Sequence, residues 1–365
     1  MNTTTYTLLS LIKTALGKEP HTAYNANVNW SDVYRLAMRQ GVVAIAWEGV
    51  QTLINSGVID SGNAPERALK LQWALAADNI EQRYLKQERL IAKLASFYAE
   101  HGISMMIIKG YGLSLLYPTP KHRECSDIDI WLFGEQQRAD DLMRKLKGIT
   151  IDEDDHHHTT FSINGIMVEN HYDFINVHAH LSSRKFENIL RSVASKESCE
   201  KITVDGSTIY LPSANFHALF LLRHAASHFA AAEIALRHVI DWAMFMKSHH
   251  DDIDWGWLYD VAKEFNTDKF LNCINAICID YFDIPADYFP QFERNKELEE
   301  RVFNDIIQPE FSEKSPSGNL LKSLIFKFRR WWANRWKHRI VYREGLLITF
   351  FVQIYSHALK PKSFR

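Results

Sequence analysis

The sequence predicts an α+β protein: a small mixed β-sheet core flanked by N-terminal and C-terminal helical regions. Three observations predict it. Apolar residues recur at helical spacing through residues 1–100. Between residues 101 and 211 the pattern breaks into short apolar runs and alternation, punctuated by Asn164-Gly165 and Asp205-Gly206. After Pro212 helical spacing returns. This divides the chain into a helical region (1–100), an α/β core (101–211), a helical domain (212–310) and a basic, aromatic helical tail (311–365).

Each element has a local cause. Leu8, Leu9, Leu11, Ile12 and Leu16 give the first helix an apolar side, and Ser31-Asp32-Val33 reads as the start of another. Pro65 to Ala99 is one long helix, with Pro65 suited to its first turn, where a missing N–H costs nothing. Ile103 to Ile108 is too short an apolar run for a good helix and ends at Lys109-Gly110, so it reads as a buried strand entering a glycine turn. Leu113, Leu115, Leu116 and Tyr117 suit a short helix stopped by Pro118 and Pro120. Ile128 to Phe133 is the next strand, and Glu135 to Lys147 a charged amphipathic helix. Phe161 to Asp173 and Ile202 to Leu211 read as hairpins, turning at Asn164-Gly165 and Asp205-Gly206.

Composition narrows the class. Apolar content is 46%, charged content 24% and formal net charge −2, so the chain is an ordinary globular protein with no global basic field to attract nucleic acid. Cys125, Cys199, Cys273 and Cys278 form no CxxC, and the N-terminus carries no secretory apolar stretch; this reads as a cytoplasmic, reduced protein without a cysteine metal site. No uncharged apolar run reaches the roughly 18 residues of a spanning helix; Gly345 to Ala358 comes nearest and is too short and too polar.

The chemistry-bearing stretch is Ser126-Asp127-Ile128-Asp129-Ile130-Trp131-Leu132-Phe133. Alternate strand residues share a face, so Asp127 and Asp129 point the same way while Ile128, Ile130 and Leu132 pack the other side. Neighbouring carboxylates repel, and a divalent cation removes the conflict. Mg²⁺ prefers such oxygen ligands, commonly one or two carboxylates plus substrate phosphates. Glu169, with His171 on the same face of a second strand, completes a three-carboxylate cluster if the strands are neighbours. A lone D-x-D is common, and also fits a turn aspartate beside an exposed one. The Lys109-Gly110 turn upstream, Ser126 beside the pair and Glu169 downstream favour the metal site.

The order of strand, glycine turn, short helix, D-x-D strand and later acidic strand resembles the nucleotidyltransferase fold of the DNA polymerase β superfamily. Ile108-Lys109-Gly110, Leu113, Leu116-Tyr117-Pro118, Arg123 and Asp127-Ile128-Asp129 are more narrowly similar to a family of uncharacterised bacterial nucleotidyltransferases. So are Val168 to Tyr172, Leu211-Pro212-Ser213, His224 to His228 and Arg237 to Asp241. The resemblance spans roughly residues 30 to 280. It implies transfer of a nucleoside monophosphate from an NTP, ATP by default, to an unidentified protein or small-molecule acceptor, with Mg²⁺ (or Mn²⁺) as cofactor. By this likeness Asp127, Asp129 and Glu169 ligate metal and catalyse, and Gly110 opens the phosphate turn. Lys109, Ser126, Arg123 and His171 are candidate nucleotide contacts. The turn departs from the superfamily in carrying Tyr111 where Ser is usual, a loss for which Lys121 and Arg123 can compensate; Arg123 also fits an exposed loop.

Other features carry alternatives. His156-His157-His158 resembles a metal tract but reads as a solvated loop. His217, His224 and His228 share a helical face without H-E-x-x-H, and read as core histidines bonded to Asp241 or backbone, or as a wall of the nucleotide cleft. Lys327 to Arg339 is basic and aromatic and fits packing or protein contact, then a membrane surface, and last nucleic acid. Besides the transferase, two further functions stand: an inactive module that binds nucleotide or a protein partner, as an antitoxin might, and a phosphohydrolase built on His224 and His228.

Overall fold

The computed structural model describes residues 1–17, 28–153, 157–313, 320–349 and 352. The N-terminal part is helical: α1 (Thr3–Ala15), α2 (Trp30–Arg39), α3 (Val43–Asn55) and the long α4 (Arg67–Glu100). Asn29, not Ser31, caps α2 by accepting from the Asp32 N–H. Pro65 lies before the N-cap residue Glu66 rather than inside the first turn of α4.

The core follows as β1 (Met106–Ile107), α5 (Tyr111–Ser114), β2 (Asp127–Trp131), α6 (Gln136–Arg144), β3 (His158–Ile163), β4 (Ile166–His171), α7 (Ser183–Ser192), β5 (Glu200–Val204) and β6 (Ser207–Leu211). Strand β1 is shorter than its apolar run, although Met105 O and Ile108 N still bond to Tyr210 N and Asp129 O. Strand β2 stops before Phe133, because Phe133 and Gly134 adopt φ of 50° and 98° and turn the chain toward α6. Both hairpins turn where expected. Asn164-Gly165 and Asp205-Gly206 have positive φ at both central residues, the geometry that matches strand twist in two-residue loops.

The sheet order is β3-β4-β2-β1-β6-β5. The pairs β2/β4 and β1/β6 are parallel and the other three antiparallel, so the sheet is mixed, as the sequence predicts. Ile128, Ile130 and Val168 pack with Leu94 and Tyr98 of α4 and Met143 of α6. Met106, Ile108, Trp131 and Tyr210 join a larger core. That core also takes in α1–α3 and the helices that follow: α8 (Ala214–Ala231), α9 (Leu236–His249), α10 (Trp255–Glu264), α11 (Asp268–Phe282) and α12 (Lys296–Ile307).

The tail forms α13 (Leu320–Ala333) and α14 (Arg335–His338). Lys337 is fully buried, with Nζ 2.5 Å from Asp305 and 3.0 Å from the Ala232 carbonyl, and Arg301 lies over the Trp336 ring. The α14 part therefore packs on the helical body, whereas Ile325, Phe328 and Trp332 of α13 are about half exposed. No helix among the described residues is long and apolar enough to cross a membrane, and Gly345 to Ala358 lies partly outside those residues.

Helices α1 and α3 cross at Gly49, where an added Cβ would run into the Leu11 backbone. Alanine favours a helix over glycine by about 1 kcal/mol, but backbone cannot yield as a flexible side chain does. Gly49→Ala should therefore destabilise the protein by about 1–3 kcal/mol, read as a lower urea midpoint at unchanged m-value.

Candidate active site

Parallel pairing of β2 with β4 sets Asp129 beside Glu169 and Asp127 beside Met167. The Asp129 side chain is fully buried, while those of Asp127 and Glu169 remain partly open. Lys109 leaves the end of β1 and brings Nζ to 2.8 Å from Asp129 Oδ1 and 4.0 Å from Asp127 Oδ2. His171, two residues past Glu169 on the same face, brings Nε2 to 3.2 Å from Asp129 Oδ1 and 3.5 Å from Glu169 Oε2. Its Nδ1 lies 3.2 Å from the Asp173 carbonyl.

The turn after β1 depends on Gly110. Its φ of 68° and ψ of −103° strain any side-chain-bearing residue, and a Cβ there would lie 3.6 Å from the Asp127 carbonyl. Tyr111 turns its hydroxyl to Glu88 at 2.8 Å. Ser126 donates to Asp127 at 2.8 Å.

Arg123 is not an exposed loop residue. It is buried, and its guanidinium grips Asp241 of α9 through Nε and Nη2 at 3.0 and 2.6 Å, with the Tyr117 hydroxyl 2.7 Å from the same carboxylate. Lys121 bonds Glu81 at 2.6 Å, and His122 spans Glu48 and Glu81 at 2.6 and 2.8 Å. The cations proposed to replace the missing serine are thus engaged in holding the loop between α5 and β2. Arg123 still contributes to the wall of a cavity of about 70 Å³. Lys109, Gly110, Ser126 and Asp127 line its sheet side, and His224, Arg237, His238 and Trp242 its helical side.

The helical histidines are placed differently from one expectation. Asp241 is taken by Arg123 and Tyr117, not by a histidine; His238 Nδ1 meets its own N-cap backbone at Ala235. The His224 ring centroid lies 4.5 Å from that of His228 and 6.1 Å from that of His238, but their nitrogens do not converge in a three-ligand group among the described residues. Burial lowers all three pKa values, His238 to about 4, and the Lys109 charge adds to this at His224 and His228. His224 and His238 line the cavity as neutral imidazoles.

His157 and His158 do not form a solvated loop. His158 is in β3 directly opposite His171, with Nε2 4.0 Å from Glu169, and both rings lie against His171. His156 lies outside the described residues.

The charges of the cluster polarise one another. Burial would raise the Asp129 pKa, but Lys109 and His171 hold it well below the carboxylate range. Burial would lower the His171 pKa, but Asp129 and Glu169 raise it to about 9. Glu169 moves upward through burial and the nearby Asp129 and Asp127 charges, against the pull of His171 and Lys109. Asp129 is therefore a fixed anion and Glu169 the more basic carboxylate. Asp129 Oδ2 is buried without a hydrogen-bond partner among the described residues. Ligand atoms of Asp129, Glu169 and His171 lie within 4.8 Å of one another, with Asp127 at the open edge. An oxygen-rich set with an unsatisfied buried carboxylate oxygen fits a divalent cation.

The fold is α+β, with the acidic residues carried on a mixed six-stranded sheet among the described residues. The family model described as uncharacterised nucleotidyltransferase matches residues 26–283, and the chain belongs to this family, whose general activity is nucleotidyl transfer. A crystal structure of an antigenic nucleotidyltransferase-like protein from Paracoccidioides brasiliensis is similar at 14% identity and a TM-score of 0.31, over 44% of this chain and 75% of that one. No curated protein matches the chain.

His122 gives the loop before β2 a pH signature. Burial opposes its charge, but Glu48 and Glu81 outweigh burial and raise its pKa above 6.5. A raised folded-state pKa contributes stability that is complete below the unfolded value and lost as pH rises through the folded one. The stability advantage of wild type over His122→Gln should be largest below pH 6.5 and shrink as pH rises above it, measured by urea melts across pH.

Proposed function

We propose that this chain is a Mg²⁺-dependent nucleotidyltransferase of the polymerase β type. It would move a nucleoside monophosphate from an NTP, ATP by default, to a protein or small-molecule acceptor and release pyrophosphate. The observation that carries the reading is Asp129: a fully buried carboxylate with one unsatisfied oxygen, set beside Glu169 by strand pairing. Asp127, Asp129 and Glu169 are the residues that would hold Mg²⁺ (or Mn²⁺), with His171 hydrogen-bonded to Asp129 beside them. The ion, when bound, neutralises phosphate charge and polarises the reacting phosphoryl group.

The chain's own residues do the rest. Gly110 keeps the turn backbone slim enough for phosphate to approach, and Ser126 offers a hydroxyl at the same mouth. Lys109 supplies a positive charge that can serve Asp129 or a triphosphate oxygen. Arg123 acts on the nucleotide as part of the cavity wall and as the anchor of the loop. The acceptor oxygen forms a bond to the α-phosphorus, the bond from that phosphorus to the bridging oxygen breaks, and pyrophosphate leaves. Glu169, the more basic carboxylate, receives the acceptor proton. A cytoplasmic bacterial setting belongs to this reading and rests on the resemblance and on four free cysteines.

A second reading, an inactive module that binds nucleotide or a partner, draws on Tyr111 in the phosphate turn and on Lys109 already neutralising Asp129. Calorimetric titration with each NTP separates the two. Binding that requires Mg²⁺ and is lost in Asp127→Asn/Asp129→Asn is expected. Binding indifferent to both aspartates would sink the transferase site. Lys109→Met gives opposite shifts in one variant: Mn²⁺ alone should bind about 5- to 10-fold tighter, because a competing cation is gone, and NTP about 10-fold weaker. Paramagnetic resonance of free Mn²⁺ measures the first and calorimetry the second.

A further inference from the structure

His157 and His158 stand beside the carboxylates with no part in the transfer step, and their backbones are pinned there. His158 is the cross-strand partner of His171, and the His157 carbonyl accepts from the N–H groups of Tyr172 and Asp173 at 2.8 and 3.0 Å. The three imidazoles gather at one end of the β3–β4 ribbon, with ring centroids 4.4, 5.2 and 5.6 Å apart. One nitrogen from each lies within 4.8 Å of the others, and His157 Nε2 is 3.2 Å from His158 Nδ1. Two nitrogens of a tetrahedral zinc site, each bonded at about 2.0–2.1 Å, stand about 3.4 Å apart.

The surroundings suit ligation as well. His171 Nδ1 faces the Asp173 carbonyl at 3.2 Å, the kind of partner that holds a ligating imidazole with Nε2 toward its ion. The donor set differs in kind from that of the aspartates. Imidazole nitrogen suits zinc, nickel and cobalt, whereas Mg²⁺ takes oxygen.

We propose that His157, His158 and His171 form a second metal site, for a late first-row transition ion such as Zn²⁺, next to the carboxylate site. The site does not depend on the transferase reading. It does communicate with the carboxylates, because His171 is common to both. An ion bound to its Nε2 displaces the proton that bonds Asp129 and Glu169 and sets the ion's own charge beside them.

The test uses the full chain without a polyhistidine tag, stripped by chelator and titrated with Co²⁺ while visible absorption is followed, then displaced with Zn²⁺. Wild type should take up one Co²⁺ with the intense band of a four-coordinate site. His157→Ala/His158→Ala should lose more affinity than the about 10–100-fold that outer-shell changes cost, with far-UV dichroism unchanged. His157→Ala alone, which removes a half-buried ring, should lose part of it. Asp127→Asn should keep the Co²⁺ band while weakening Mn²⁺, which separates this site from the carboxylate one. A weak six-coordinate spectrum in wild type, or Co²⁺ affinity unchanged in the double histidine variant, would overturn the proposal.

Discussion

Burying Asp129 is the constraint around which the centre is built. A carboxylate taken fully out of water costs several kcal/mol unless its charge is met. Here it is met from both neighbouring strands: Lys109 comes from the end of β1, paired antiparallel to β2, and His171 from β4, paired parallel. Both contacts depend on register. A slip of one residue in either ladder would turn Asp129 toward Leu94 and Tyr98 or send its partners to the wrong face. The alternation that buries Ile128 and Ile130 under α4 is therefore the same alternation that assembles the acidic site on the opposite face.

The helices extend that logic. The long connection from α5 to β2 would be a mobile approach to Asp127 if it were held only by its own sequence. It is instead fastened at both sides, by His122 between Glu48 of α3 and Glu81 of α4, and by Arg123 and Tyr117 on Asp241 of α9. Asp241 is buried, and its pKa stays low because Arg123, against the cost of burial, favours its ionised form. This buried pair brings the C-terminal helices to the mouth of the site, where neutral His224 and His238 face Lys109 across the cavity. The helical regions thus position the entrance as well as filling the core.

What could be read from the sequence was local. Asn164-Gly165 and Asp205-Gly206 specify two-residue turns by backbone sterics alone, and the period of two in Asp127 to Trp131 gives a strand and its faces. The placement of Glu169 beside Asp129 needed one assumption, that the strands are neighbours, and the register satisfies it. His158 was within reach of the same reasoning. Once Ile163 and Ile166 flank the turn, counting outward pairs His158 with His171, although the polar flanks of the tract suggest a loop. Arg123 was not legible, because its partner lies 118 residues away and no periodicity connects an arginine in one loop with an aspartate on a distant helix. The early end of β2 was hidden for another reason: Phe133 is a good strand former, and its left-handed conformation is imposed by the turn into α6.

Charge balance links the site to its proposed use. Three carboxylates face two resident cations, Lys109 and His171, so the centre is close to neutral before any ligand arrives. A bare divalent ion entering such a site gains little net attraction, since it must share Asp129 with an ammonium only 2.8 Å away. A triphosphate entering with the ion changes the balance, because its oxygens offer Lys109 an alternative partner and free Asp129 for the metal. Under the transferase reading, nucleotide and cation then bind as one load, each weak without the other. Lys109 is the counter-charge that makes a buried aspartate tolerable in the folded chain, and in that reading it would also couple metal binding to the nucleotide.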